Sequence, residues 1–367
     1  MMKVLHINAG LESGGGLTHI VNLLSQAKKA GQDFDILTFA EGPVAQAARE
    51  KGIKVIVLGG SSRYDLALLK RLKKTIKDGH YDLVHSHGAR ANLFVSLIKS
   101  SLPCPWLITV HSDPAIDFEG RGIAGKIFTK LNLRAIKQAD GVFAITPRFE
   151  KILLNYGVKP SRIHVIYNGI SFRDNRNIAG KEDHAGFNII NVGRLEKVKG
   201  QDLLLRAFKA ANLPQAHLYI AGSGSQEADL KKLRQDLALT DQVTFTGFLT
   251  QAELRRLYRK MDLAVLSSYS ESFPLVLLEA ADNLLPLLST DVGGARELIP
   301  EGKGWVIPVK EEKAMAGQLK AIAALPKEEL AAIAQAEKAY ARQHFSLDRQ
   351  LADVLAGYQV CLQGEKA

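Results

Sequence analysis

Two consecutive α/β domains, each a doubly wound parallel sheet, are what this sequence of 367 residues predicts. Three observations carry that expectation. Short β-branched runs alternate with amphipathic helical stretches along the chain, the rhythm of a parallel sheet covered on both faces. The alternation breaks once, at ISFRDNRNIAGKEDHAG (170–186), which is polar and has no apolar period, as expected of a linker. The composition, 46% hydrophobic and 23% charged with a mean hydropathy of -0.03, is that of a water-soluble globular chain. It excludes disordered, collagenous and disulfide-scaffold classes.

In the first half, strands are expected at 3–8, 34–39, 54–58, 82–85, 106–110, 141–145 and 164–167, with helices at 17–30, 44–51, 65–77, 91–99, 124–138 and 148–156. After the linker the same rhythm returns. Strands fall at 187–192, 217–221, 243–246, 263–267, 285–289 and 305–308, and helices at 201–211, 226–237, 251–260, 274–281 and 294–298. Helices at 313–324, 327–344 and 347–361 close the chain. In such sheets ligands bind beyond the carboxyl ends of the strands, so a site between the two domains is expected.

No apolar run approaches the ~20 residues of a spanning helix, and the N-terminus MMKVLHINAG lacks the apolar core of a signal peptide. Cys104 and Cys361 are far apart and in no ligand spacing, which fits a reducing, cytoplasmic compartment. The formal net charge is +10 and the pI about 9.4. Residues 1–170 hold 23 Lys and Arg against 13 Asp and Glu, whereas residues 171–367 hold 25 of each. The whole excess therefore belongs to the first half, which points it at an acidic partner.

Three partial motifs are set aside. GRGIAGKI (120–127) resembles a P-loop, but Ile127 replaces the Ser or Thr that holds Mg²⁺. Gly222-Ser223-Gly224 follows a strand, yet Glu227 stands where a dinucleotide fingerprint needs its third glycine. Asp33-Phe34-Asp35 is a literal D-x-D, read here as a helix-to-strand turn.

Four features remain. Gly14-Gly15-Gly16 lies between the first strand and first helix, where free N–H groups can face an anion. Arg194 and Lys199 bracket a loop after the first strand of the second domain, where two cations can neutralise a diphosphate leaving group without a metal. Glu271-Ser272-Phe273-Pro274 precedes a helix carrying Glu279. If both acids were helical they would sit roughly 80° and about 12 Å apart. Pro274 instead favours the first helical turn and leaves Glu271 in the loop. The backbone N–H groups around Phe273 to Leu275 are then expected to serve as donors. Glu279, within LLEAA, is expected to be buried and to want a partner. His111 ends the run ITV and is expected to donate to a sugar hydroxyl or phosphate.

Together Gly14–Gly16, TVH (109–111), VGRLEKVKG (192–200), ESFPLVLLEA (271–280) and GGARELI (293–299) resemble the retaining glycosyltransferases of family 4 with the GT-B fold. The order and placement match over nearly the whole chain. The resemblance implies two Rossmann-like domains facing a central cleft: an acceptor-binding domain at 1–170, a linker at 171–186 and a donor-binding domain at 187–345. A C-terminal helix at about 346–367 would cross back to the first. It implies that Arg194 and Lys199 grip the donor diphosphate and that Glu279 bonds the ribose hydroxyls. Glu271, assisted by Ser272, Phe273, Pro274 and Leu275, and His111 would contact the transferred sugar. The Gly14–Gly16 loop would approach phosphates or acceptor. Gly222, Ser223 and Phe248 join the donor-binding set, and a UDP-sugar is favoured over a GDP-sugar. Neither metal nor cofactor is expected. The family picture is a front-face displacement with retention, the leaving phosphate helping to deprotonate the acceptor. Two positions depart from the family pattern: Ser112 after His111, and Asp282-Asn283 after Glu279.

Two helices concentrate the first half's charge. Lys126, Lys130, Arg134 and Lys137 fall within roughly an 80° arc, bordered by Ile127 and Leu131, and Lys70, Lys73, Lys74 and Lys77 share one side of another helix. Solvated faces are the ordinary explanation. Docking on an anionic membrane, where a lipid-linked or cell-envelope acceptor would be held, is the functional one. Nucleic acid is not expected, because no aromatics interleave with the stripes. The alternative from another class is a non-catalytic nucleotide-sugar or anionic-lipid-binding protein on the same scaffold.

Overall fold

The computed structural model describes residues 2–12, 14–60, 67–115, 118, 120, 122–174 and 181–364. In chain order the elements are β1 (Lys3–Asn8), α1 (Gly15–Lys29), β2 (Asp33–Thr38), α2 (Pro43–Glu50), β3 (Val55–Val57), α3 (Ala67–Gly79), β4 (Leu83–His87), α4 (Ala89–Ile98), β5 (Trp106–Val110), α5 (Gly122–Gln138), β6 (Gly141–Ala144), α6 (Pro147–Asn155) and β7 (Ile163–Val165). They continue with β8 (Phe187–Val192), α7 (Gln201–Ala211), β9 (Ala216–Ala221), α8 (Glu227–Asp236), β10 (Val243–Gly247), α9 (Gln251–Tyr258), β11 (Leu263–Leu266), α10 (Leu275–Asp282), β12 (Leu287–Thr290), α11 (Ala295–Leu298), β13 (Trp305–Ile307), α12 (Glu312–Ala323), α13 (Lys327–Phe345) and α14 (Leu347–Gly364). The start of the helix expected at 65–77 and the middle of the linker expected at 171–186 lie outside the described residues.

The chain divides into two units, Met1–Gly169 with Leu347–Ala367, and Ile170–Ser346. The first sheet is parallel in the order β3-β2-β1-β4-β5-β6-β7, and the second in the order β10-β9-β8-β11-β12-β13. Each reverses direction beside its first strand, the arrangement that leaves loops splayed at the carboxyl ends of neighbouring strands. Every residue of β4, β5 and β6 is buried, as strands covered on both faces require. α14 packs on α1, and Leu351, Val354 and Tyr358 join Leu23, Leu24 and Phe143 in one apolar cluster. A second cluster binds α7 and α12 to β8, β9 and β11.

Several expectations change in detail. β4 runs two residues further than expected and so includes His87. Asp35 lies within β2 rather than in the turn before it, and is buried there, with Lys54 Nζ at 2.6 Å and Tyr81 Oη at 2.7 Å donating to its Oδ2. Gly122 to Ile127 of the P-loop-like segment form the first turns of α5, not a phosphate loop. The described ends of the expected linker are held rather than free. Arg173 donates to Asp282 and Asn283, Arg342 donates to Asp174, and Glu182 pairs with Arg259. This accounts for Asp282-Asn283, the pair that departs from the family pattern. Asp282 takes the Arg173 backbone N–H and guanidinium and also pairs with the buried Lys338.

Candidate active site

In the second unit, the loops after β8, β9, β10 and β11 gather at the carboxyl ends of the strands. The loop after β8 is laced to the loop after β9: Leu195 N–H donates to Ser223 O at 2.9 Å and Gln226 N–H to Leu195 O at 2.8 Å. Gly222 admits no side chain, since a Cβ would lie 1.9 Å from Gly193 O, and its φ of 143° is one that other residues rarely adopt. Its N–H reaches Gly247 O of the β10 loop, beside Phe248, whose ring is 77% exposed. Gly200 opens α7 with φ 62°, and a Cβ there would lie 2.2 Å from Ser267 O after β11. The backbones of the β8 and β11 loops therefore touch, and that contact delivers Lys199 to Glu271.

Lys199 Nζ donates to Glu271 Oε1 at 2.6 Å, and Ser268 Oγ donates to the same oxygen at 2.6 Å. Both bonds fall on Oε1 of the carboxylate. Arg194 is exposed on the same loop, its carbonyl held by Gln201 Nε2 at 3.1 Å. Glu279 is half-buried on α10, and burial raises its pKa above the ordinary carboxyl value, opposed by a hydrogen bond from Gln251 and the nearby charge of Arg255. The expected backbone donors need correcting. Pro274 has no N–H, and the Leu275 N–H is already taken by Phe273 O at 3.0 Å because the chain turns tightly into α10. Phe273 is buried and packs against Phe345, so its ring is core rather than contact surface. Ser272 is half-buried in the same loop.

In the first unit, Gly14 caps α1 with φ 67°, and Gly15 and Gly16 form its first turn. Gly16 and His111 line a cavity of about 280 Å³ with Glu12, Gly88, Asn92 and Ser112. His111 follows β5 and is half-buried, and its Nε2 lies 3.3 Å from His87 Nδ1. Four further histidines, His6, His19, His85 and His87, are buried around it. Two triads, His6–His85–His87 and His19–His87–His111, bring ligand nitrogens within 4.8 Å of one another. Their hydrogen bonds oppose a metal reading. Both nitrogens of His85 are engaged, by Tyr358 Oη and Thr109 Oγ1. Gln350 accepts from Gly169 N–H through Oε1, so its Nε2 donates to His19 Nδ1 at 3.0 Å and fixes the His19 proton on Nε2. Sequence reasoning missed Glu12, Ser268 and these histidines. The period-2 spacing of His85 and His87 was the one signal for the last, since it puts both on one strand face.

The basic residues singled out on α3 and α5, Lys70, Lys73, Lys74, Lys77, Lys126, Lys130, Arg134 and Lys137, are all exposed. On α5 they adjoin exposed Ile123, Ile127 and Leu131, while Gly125, Asn132, Ala135 and Ile136 face inward. Among the described residues, no helix is long and apolar enough to cross a membrane.

Comparison with known proteins bears on both halves. Residues 13–173 match the family "Glycosyltransferase Family 4", and residues 173–339 match "Glycosyl transferases group 1". The D-inositol 3-phosphate glycosyltransferase of Mycobacterium sp. (strain KMS) is 28% identical, over 79% of this chain and 73% of that protein. The crystal structure of Anabaena Alr3699/HepE in complex with UDP superposes with a TM-score of 0.82 at 20% identity, covering 98% of this chain and 100% of that one. Its complex with UDP-glucose gives 0.77 at 21% identity, covering 100% of each chain. A glycosyltransferase from Rickettsia africae ESF-5 gives 0.82 at 19% identity, covering 98% of each chain. Two sheets of this order, loops gathered over their carboxyl ends and two family matches that meet at residue 173 lead to one conclusion: the chain belongs to the family 4 glycosyltransferases and has the GT-B fold.

Proposed function

We propose that this glycosyltransferase moves a sugar, with retention, from a UDP-sugar to an acceptor bound by the first unit at an anionic membrane face. The observation that carries the donor reading is the Lys199–Glu271 pair, held together by touching loops after β8 and β11 with Arg194 on the same loop. In the absence of a ligand Glu271 neutralises Lys199. An arriving diphosphate, with more charge and more acceptor oxygens, is a stronger partner for Lys199 and Arg194 and stabilises the leaving group as the sugar–oxygen bond breaks. Glu271, released from the lysine, is then available to a sugar hydroxyl, and Glu279 to the ribose. The choice of uridine is supported by the UDP complexes of the structurally similar Anabaena protein. No metal enters this scheme, because the two cations carry the charge.

Calorimetric titration with UDP, UDP-glucose and GDP tests it. UDP and UDP-glucose are expected to bind and GDP to bind at least tenfold more weakly. Equal affinity for GDP would overturn the choice of base. Release of UDP with an acceptor, undiminished by EDTA, separates an enzyme from a binding protein.

Membrane docking is supported by one specific feature: α5 exposes Ile123 at 80%, Ile127 at 53% and Leu131 at 38% beside its lysines. Apolar side chains next to cations suit the boundary of an anionic bilayer. Replacing Ile123 and Ile127 by Ser is expected to reduce flotation with anionic vesicles severalfold. Equal, negligible binding of the unsubstituted protein to anionic and neutral vesicles would remove the claim.

A further inference from the structure

Five hydrogen bonds run in series through the first unit, from the cavity histidine to a threonine on the strand before it. His111 Nε2 lies 3.3 Å from His87 Nδ1. His87 Nε2 lies 2.9 Å from His6 Nδ1. His6 Nε2 lies 3.4 Å from Tyr358 Oη. Tyr358 Oη lies 2.6 Å from His85 Nδ1, and His85 Nε2 lies 2.7 Å from Thr109 Oγ1. Strand register assembles the series: His6 pairs with His85, and His87 with Thr109, so these side chains share the sheet face that α14 covers with Tyr358. His6, His85, His87 and Tyr358 are 0% exposed.

We propose that Tyr358 is a positioning residue: through His6 and His87 it decides which nitrogen of His111 carries the proton, and hence that the cavity is offered a hydrogen-bond acceptor at His111 Nδ1. The functional consequence rests on His111 contacting substrate. The hydrogen-bond series stands without that reading.

A neutral imidazole donates from one nitrogen and accepts at the other. Burial keeps these rings neutral, with His6 down at about 3 and His85, His87 and His111 well below the ordinary histidine range. Every link then has one donor and one acceptor, so the polarity of one link dictates all the others. Tyr358 has a single hydrogen and two imidazole neighbours. Its contact to His85, at 2.6 Å, is far shorter than its contact to His6, at 3.4 Å, and the single hydroxyl hydrogen is assigned to the shorter one. Tyr358 therefore donates to His85 Nδ1, and His85 Nε2–H donates to Thr109. In the other direction His6 Nε2–H donates to Tyr358, His87 Nε2–H to His6 Nδ1, and His111 Nε2–H to His87 Nδ1. His111 Nδ1 is left with a lone pair. An acceptor there selects a ligand that brings a hydroxyl donor, the uncharged polyol end of a substrate, and disfavours an ionised phosphate oxygen. This reverses the expectation that His111 donates.

The test is the ring tautomer, read from two-bond ¹H–¹⁵N correlation spectra of protein labelled at its histidine nitrogens, with His111 assigned by the variant His111→Asn. His6, His85, His87 and His111 are expected as Nε2–H tautomers, unchanged between about pH 7.5 and 5.5. Thr109→Val removes the terminal acceptor. His85 should then turn its proton to Tyr358, reverse every link, and move the His111 proton to Nδ1. Tyr358→Phe cuts the series and should leave His111 as a mixture. A His111 proton on Nδ1 in the unsubstituted protein, protonation of any of the four rings in that range, or an unchanged His111 in both variants would overturn the proposal. The spectra need no substrate, so failure of the transfer reading would appear only in turnover and failure of this one only in the spectra.

Discussion

Lys199 and Glu271 show how a single contact can be read from both ends. Their side chains are 20% and 12% exposed, so neither charge is well solvated, and each is tolerated because of the other. Lys199→Ala is expected to lower kcat/KM for a UDP-sugar by at least a hundredfold through loss of the leaving-group cation, and also to lower the melting temperature because Glu271 loses its countercharge, with the far-UV spectrum of the folded protein retained. A variant with undiminished turnover would remove Lys199 from the reaction. Arg194→Ala, at an exposed position, should lose activity with no change in melting temperature. Gly222→Ala is the reverse case. A Cβ 1.9 Å from Gly193 O cannot be accommodated without moving the backbone. A loss of about 2 kcal/mol or more in urea unfolding is expected, and a stability equal to that of the unsubstituted protein would refute the close approach. At this scale the sequence was informative where chemistry and loop position coincide. Arg194, Lys199, Glu271 and Glu279 all stand at strand ends or on the helix that follows. It was silent on Ser268, which donates to Glu271, and on Glu12, which lines the His111 cavity, because both are placed by loops whose courses only the folded chain defines.

Among the elements, α10 carries Glu279 and is fixed from its far end. Asp282, in its last turn, pairs with Arg173 at 2.7 Å and with the buried Lys338 of α13 at 3.1 Å. Asp282→Ala would leave the buried Lys338 only the main-chain carbonyl of residue 282 and no countercharge, and a loss of about 3 kcal/mol is expected in chemical unfolding. A loss below 1 kcal/mol would show that α10 is held by its apolar contacts alone. Strand and helix periodicity located all these elements to within a few residues, since each buries one face and repeats accordingly. Periodicity could not show that β4 continues to His87, because SHG reads as a turn. Nor could it show that β1 and β4 set His6 against His85 in register, because these partner strands lie about 80 residues apart in sequence.

For the whole molecule, pH acts on the two units in opposite senses. In the first, burial holds His6 at about 3, His19 at about 4, and His85, His87 and His111 well below 6.5. The unfolded chain therefore takes up protons below about pH 6.5 that the folded unit refuses. Stability falls as pH drops, by about 1.4 kcal/mol per pH unit for each such ring. In the second unit, Glu337 is fully buried on α13, and burial pushes its carboxyl to about 8. Between roughly pH 4.5 and 8 the unfolded chain releases a proton that the folded unit keeps, so this group's contribution is lost as pH rises. Limited proteolysis is expected to cut first within residues 1–169 at pH 5.5 and first within residues 170–346 at pH 8. The same first cleavage at both values would refute the assignment.

α14 also fixes the order in which the molecule can be made. Residues 170–346 form an uninterrupted unit and can fold as they leave the ribosome, but the first unit lacks its covering helix until residues 347–364 have been translated. Until then Phe143, Leu107 and the buried histidines of β1 and β4 face an open groove where Tyr358 will sit. The half of the protein synthesised first is thus completed last. A nascent chain stalled near residue 346 would expose an apolar sheet face, while a separate peptide spanning 347–364 has a preformed place to bind.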